Sequence, residues 1–250
     1  NGTSVTVSAG GNYYLWDGST MSSPTGGQFT AMGSVTYLDQ YTILTKKNGN
    51  QFQWSGLAAP ETLAGLNFAT NESNNDDILR GLAVNGNVWF LNKTSLEIWY
   101  NTGQSNENAF TRLSGGAVNV GCLGANLAIA LDSGLFFIGD DGVAYMTAGA
   151  GLSPVSNPAV ESNIAQSTPT HCFYYEDGGR KFCVVRFSDR PAWCYDVSLG
   201  AWHERTSGAN LGAWGVVSTV NVYGKWYCGL TTGEIYEMAR VNTDVSDPLI

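Results

Sequence analysis

The stretch GLAVNGNVWFLNKTSLEIWYNTG, residues 81–103, decides the fold class. It reads as strand, Asn85-Gly86 turn, strand, polar turn, strand. An Asn-Gly pair between two apolar runs is the strongest short-range hairpin signal, because both central residues of a type I′ turn need positive φ. The run from Val88 to Phe90 is nearly continuously apolar rather than alternating. That pattern belongs to strands covered on both faces.

The same grammar recurs outward from this stretch, at residues 34–56, 126–149, 170–200 and 215–238. Aromatic residues assigned to the third strand of each unit, Trp54, Trp99, Tyr145, Tyr195 and Tyr236, are separated by 45, 46, 50 and 41 residues. Tyr14 lies 40 residues before Trp54 and makes a sixth mark. A period of this size fits a four-stranded propeller blade. The expectation is an all-β chain, a single β-propeller domain over residues 1–250 with about six four-stranded blades. Repeats fall near 33–70, 79–115, 123–157, 169–208 and 211–240, with an incomplete first blade at 1–28. A β-sandwich of hairpins is the alternative, and the regular spacing favours the propeller. The strand missing from the first blade is expected from the tail after Arg240, or from a later part of a longer chain, since an unpaired edge is a liability. One segment breaks the grammar. In SNPAVESNIAQS, Asn157 suits an N-cap, Pro158 suits the first helical position, and Val160 and Ile164 share a face, so a short helix is predicted near 158–166 between two repeats.

Composition supports this picture. The chain has 250 residues, 31 of them Gly, with 12% aromatic content. All-β chains of this length form single domains, and Gly suits many tight turns. Only 13% of residues are charged, against roughly 25% in typical soluble domains. The surface is therefore covered by Ser, Thr, Asn and Gly, or is partly buried against other chains. The net charge is −9, with 12 Lys and Arg and no basic cluster denser than Lys46–Lys47. A general nucleic-acid groove needs a basic stripe to neutralise phosphates, and none is visible; sequence-specific nucleic-acid binding is not expected. The most apolar run, ANLAIAL, is stopped by Asp132 and is too short to span a bilayer, so no membrane association is expected. The chain starts at Asn1 rather than Met and reads as processed or shortened. Its five cysteines, Cys122, Cys172, Cys183, Cys194 and Cys228, contain no C-x-x-C pair and give little support to a zinc site. Three of them sit 11 residues apart in strands read as neighbours. Free buried thiols are favoured there, with a disulfide as the alternative.

Site chemistry is sparse. The only histidines are His171 and His203, and no G-x-S-x-G elbow accompanies them, so a Ser-His-Asp triad is poorly supported. In an extended AWHERTSG strand, His203 and Arg205 share a face opposite Trp202 and Glu204, which suits strand pairing or an interface. A glycosidase would need two carboxylates about 5–9.5 Å apart, and the S-x-D-x-G-x-x-W boxes of sialidase-type propellers are missing. Asp140 and Asp141, in GDDG, lack the alternating ligands of an EF-hand loop. The loop NESNNDD places Glu72, Asn74, Asp76 and Asp77 together. It reads as a solvated acidic turn or a contact loop, with a calcium site as the alternative, because loops on rigid scaffolds carry recognition. Asn101, in the NTG turn, joins the candidate contact residues. No metal or other cofactor is expected. Eight tryptophans leave a lectin-like reading open, although most lie inside strand patterns where blade packing is their role.

From residue 66 the series LNFATNESNNDDILRGLAVNGNVWFLNKTSLEIWYNTG, then FTRLSGGAVNVGCLGANLAIALDSGLFFIGDDG, VESNIAQ and WCYDVSLGAWHERTSG resembles the packaged-DNA stabilisation, or tail-hub and head-completion, proteins of short-tailed bacteriophages. The resemblance covers about residues 30–210. It implies a non-enzymatic virion protein that carries a propeller, assembled in the host cytoplasm and placed at the portal vertex. It implies a hexameric ring below the portal and adaptor that closes the vertex on packaged DNA and holds tailspikes or fibres and the tail needle. Members of that family are longer than this chain.

Overall fold

The structure, a computed structural model, describes residues 4–207 and 212–238. It contains six antiparallel sheets arranged as the blades of a propeller. The first holds β1 (Val5–Ala9), β2 (Asn12–Trp16) and β3 (Met21–Ser22). The second holds β4 (Met32–Leu38), β5 (Tyr41–Lys46), β6 (Gln51–Gly56) and β7 (Ala59–Thr70). The third holds β8 (Ile78–Val84), β9 (Asn87–Asn92), β10 (Leu96–Asn101) and β11 (Phe110–Val118). The fourth holds β12 (Ala128–Leu131), β13 (Gly134–Ile138), β14 (Ala144–Ala148) and β15 (Gly151–Pro154). The fifth holds β16 (His171–Asp177), β17 (Arg180–Arg186), β18 (Ala192–Asp196) and β19 (Ala201–Arg205). The sixth holds β20 (Val216–Val222), β21 (Lys225–Leu230) and β22 (Ile235–Glu237).

Each sheet is a meander, its strands hydrogen-bonded in chain order. The first strands line up as an inner wall: β1 packs on β4, β4 on β8, β8 on β12, β12 on β16 and β16 on β20. Among the described residues, β20 and β1 do not pack on each other in this way. Val5, Val7 and Val220 on those two strands are exposed. The expected closing segment after Arg240 lies outside the described residues.

Blades are held together by apolar clusters between their faces. Tyr13, Met32, Leu44 and Leu63 join the first two blades. Ile43, Phe52, Trp54, Val88, Phe90 and Trp99 join the second and third. The largest cluster runs through the third, fourth and fifth, and another joins the fifth to the sixth. This is why β9 and β13 read as continuous apolar runs: both faces are covered, and nearly every residue in them is buried. A fully buried side chain of this kind is worth about 1.5–3 kcal/mol.

The hairpin signal is realised as read. Asn85 and Gly86 take φ of 51° and 71° between β8 and β9, the positive values a type I′ turn requires. The helix α1 spans Pro158–Gln166 between the fourth and fifth blades, and the Asn157 side chain accepts hydrogen bonds from Ala159 N and Val160 N, both at 3.0 Å. Val160 and Ile164 are its buried residues. One mark in the aromatic series is displaced. Tyr14 lies on β2, the second strand of its blade, whereas Trp54, Trp99, Tyr145, Tyr195 and Tyr236 lie on third strands. The third strand of the first blade is the two-residue β3, which carries no aromatic side chain.

The five cysteines are free and buried. Cys183 faces the cluster toward the fourth blade and Cys194 faces the cluster toward the sixth, so neighbouring strands carry these thiols on opposite sides of their sheet.

Candidate interaction face

In a meander the connections alternate between the two ends of the blade. Turns between second and third strands share one end with the connections from blade to blade. Turns joining the first to the second strand, and the third to the fourth, share the other. The NESNNDD loop connects β7 to β8, and the GDDG turn connects β13 to β14. Glu72, Asn74, Asp76, Asp77, Asp140 and Asp141 are thus brought to one face. Asn101 ends β10 on the opposite face, where its Nδ2 donates to Asp39 Oδ2 at 3.2 Å. His203 lies mid-strand and Arg205 at the end of the outer strand β19.

The blade-to-blade loops are tied to the neighbouring turns. Asp76 Oδ2 accepts from Thr94 N at 2.6 Å and Thr94 Oγ1 at 2.9 Å, while Oδ1 accepts from Ser95 Oγ at 3.0 Å. Asp77 pairs with Lys93 at 2.6 Å. Asp140 Oδ1 accepts from Gly121 N at 2.8 Å. Asp141 accepts from Val143 N at 3.0 Å and from the Tyr145 hydroxyl at 2.7 Å. Asp76, Asp140 and Asp141 cap main-chain donors, which explains why acids recur in these turns. Glu72 stays exposed at the rim, and Asn74 is half-buried. Among the described residues no group of three or more His, Cys, Asp or Glu side chains is placed to hold a metal ion.

Sequence reading missed the residues beneath this loop. Glu97 of β10 is fully buried, its carboxylate accepting from Ser73 N at 2.7 Å and Trp99 Nε1 at 3.1 Å. Arg112 reaches the same residue, Nη1 donating to Ser73 Oγ at 2.8 Å. Asn71 Nδ2 donates to Asn92 Oδ1 at 3.0 Å, and Asn92 Nδ2 to Ser95 Oγ at 3.0 Å. A main-chain tie repeats from blade to blade here: Asn71 N donates to Asn50 O and Cys122 N to Asn92 O, both at 2.8 Å. The available signal was an acid inside the apolar run LEIW, which demands a partner when buried.

Arg205 stacks over the rings of Tyr175 at 5.4 Å and Trp214 at 5.8 Å, bridging the last two blades. His203 meets Phe182 edge-on, on the side of β19 opposite Trp202, as alternation requires. Trp202 Nε1 donates to Val155 O at 2.6 Å and its ring packs on Tyr195. Of the eight tryptophans only Trp16 is exposed; Trp54, Trp89, Trp99 and Trp214 are buried. The thiols are inert by environment: burial raises Cys122 and Cys194 to about 11, well above the range of reactive cysteines. No described helix is long and apolar enough to cross a membrane.

Comparison with known proteins agrees with this architecture. Dihydro-heme d1 dehydrogenase NirN in complex with DHE superposes with a TM-score of 0.65 at 10% identity, over 99% of this chain and 54% of that one. The chain therefore spans about half of that structure, and the likeness is one of fold alone. No curated protein matches the sequence. The profile of a family described as bacteriophage P22 Gp10, beta-propeller, matches residues 1–241. The chain belongs to this phage packaged-DNA stabilisation and tail-hub family.

Proposed function

We propose that this protein is a ring subunit of the tail hub that closes the portal vertex once DNA is packaged. The observation that carries the reading is the family match over residues 1–241. In this reading the chain is one propeller unit, repeated in a hexameric ring below the portal and its adaptor. It gives tailspikes or fibres and the needle a place to attach, and no reaction is involved. The work is mechanical. Blades packed face to face resist deformation, and their loops hold neighbours in register. Stability of the ring follows from symmetry and avidity rather than from any one strong contact. Loops tied down as Asp76 and Asp140 tie them lose little entropy on binding. Glu72, Asn74 and Asn101 are the proposed contact positions, on two faces that meet different partners. The low charge content suits surfaces that become covered.

The test is electron microscopy of the protein mixed with the portal and adaptor of its own phage. A ring bound below the adaptor, and the same protein in purified virions, is the expected result. Failure to form a ring together with absence from virions would overturn the reading.

A further inference from the structure

The inner strands β8, β12, β16 and β20 border an axial cavity of about 390 Å3, within the range of small-molecule sites. Its polar lining includes Arg80, Asn126, His171 and Ser218, and among the described residues no carboxylate lines it. That is unexpected in a chain with 21 acidic and 12 basic residues.

Arg80 is fixed but not neutralised. Its Nη1 donates to the carbonyls of Ala125 and Ala128, each at 3.2 Å. No described carboxylate pairs with it, and burial works against its charge. His171, which also lines the cavity, has its Nδ1 buried without a partner among the described residues. Beside it in the sheet is Arg186. Arg186 is likewise held by oxygens that carry no charge, donating from Nε to Trp214 O at 3.0 Å and from Nη1 to Thr170 Oγ1 at 2.9 Å. Among the described residues that line the cavity, Arg80 carries a positive charge and none carries a carboxylate.

We infer that this axial cavity binds a small oxyanion of the phosphate or carboxylate type, with Arg80 as the charged anchor and His171, Asn126 and Ser218 as further donors. A guanidinium with free N–H groups is well suited to such anions.

The two histidines make the site readable. Their ring protons are to be followed by proton NMR, with His203, on β19 against Phe182, as the internal reference. The protein is titrated at fixed pH and ionic strength with inorganic phosphate, with sulfate, and with acetate, each against sodium chloride. The expected result is a saturable shift of His171 with at least one of the three oxyanions, a rise in its pKa in that anion, and a still His203. Arg80→Gln should bind that anion about tenfold more weakly, the loss of one charge-assisted contact. Ser218→Ala, which leaves charge unchanged, should weaken binding by a smaller factor and covers the case of a variant that fails to fold. The inference fails if His171 moves no more than His203 in all three oxyanions, if chloride reproduces its shift, or if a folded Arg80→Gln protein binds as tightly as the parent.

Discussion

Phe52 of β6 and Phe90 of β9 stack with ring centroids 4.1 Å apart and planes inclined by 30°, and both side chains are fully buried. They belong to adjacent blades, and Trp99 meets Phe52 edge-on at 4.9 Å. The stack therefore joins the second and third blades. Truncating Phe90 to Ala removes the ring and leaves a cavity between sheets that cannot close without moving a blade. The expected cost is about 3–5 kcal/mol, read as a lower denaturant midpoint. Phe90→Leu, which keeps most of the volume, should cost clearly less.

The stack also shows what was legible in the sequence. Aromatic side chains recur because each blade must fill the wedge against the next, so their period reported the blade number. The period does not say which strand carries the mark. Tyr14 sits on β2, and the two-residue third strand of that blade, Met21–Ser22, carries no aromatic. The helix was readable to its ends, since Asn157, Pro158, Val160 and Ile164 each act locally. The loops were not. Asp76 and Glu97 look alike as acids, but the main-chain donors they accept from, Thr94 N and Ser73 N, lie 18 and 24 residues away, and only the packed fold brings those donors to them. Asn101 was grouped with the acidic loops because sequence position does not reveal at which end of the propeller a turn emerges.

Asp76 provides the second prediction. Its two carboxylate oxygens accept three hydrogen bonds from the Thr94–Ser95 turn. If it serves mainly to tie the blade-to-blade loop, Asp76→Ala lowers the stability of the isolated protein by about 1–3 kcal/mol. Glu72→Ala, at the exposed rim, should stay within about 0.5 kcal/mol. Thermal denaturation of the two variants side by side decides. Equal midpoints would show that Asp76 has no structural role.

Gly121 gives a third. A Cβ at this position would meet Lys93 O at 2.0 Å and Thr94 Cα at 2.5 Å. Both are backbone atoms and cannot swing away. The loop entering the fourth blade crosses directly over the β9–β10 turn, and its N–H meets Asp140. Gly121→Ala must push two backbones apart, at an expected cost of at least about 1–3 kcal/mol. Gly86→Ala, whose Cβ meets nothing within 4 Å, is strained only through its φ of 71°. The Gly121 variant should therefore show the faster hydrogen exchange at Asn92–Ser95 and Cys122.

Acid sensitivity is the fourth prediction, and its sign follows from the histidines. Burial, reinforced by Arg186, lowers the pKa of His171 below 6.5. Burial, then Arg205, lowers that of His203, against an opposing pull from Asp196. The unfolded chain takes up protons near 6.5 while the folded chain does not, so the unfolded state binds more protons as pH falls. The stability held above that value declines as pH drops through about 6.5 and levels off below the folded values. Asp17 and Asp189 act in a separate window. Hydrogen bonds within the turn lower the pKa of Asp17, and those from Arg190 and Ser167 lower that of Asp189. Their contribution is lost only as pH falls below about 3.9. Melting temperatures between about pH 7.5 and 5 should therefore fall with acidification. His171→Gln and His203→Gln should each flatten the slope. A flat profile in the parent protein would mean that neither imidazole is held neutral by the fold.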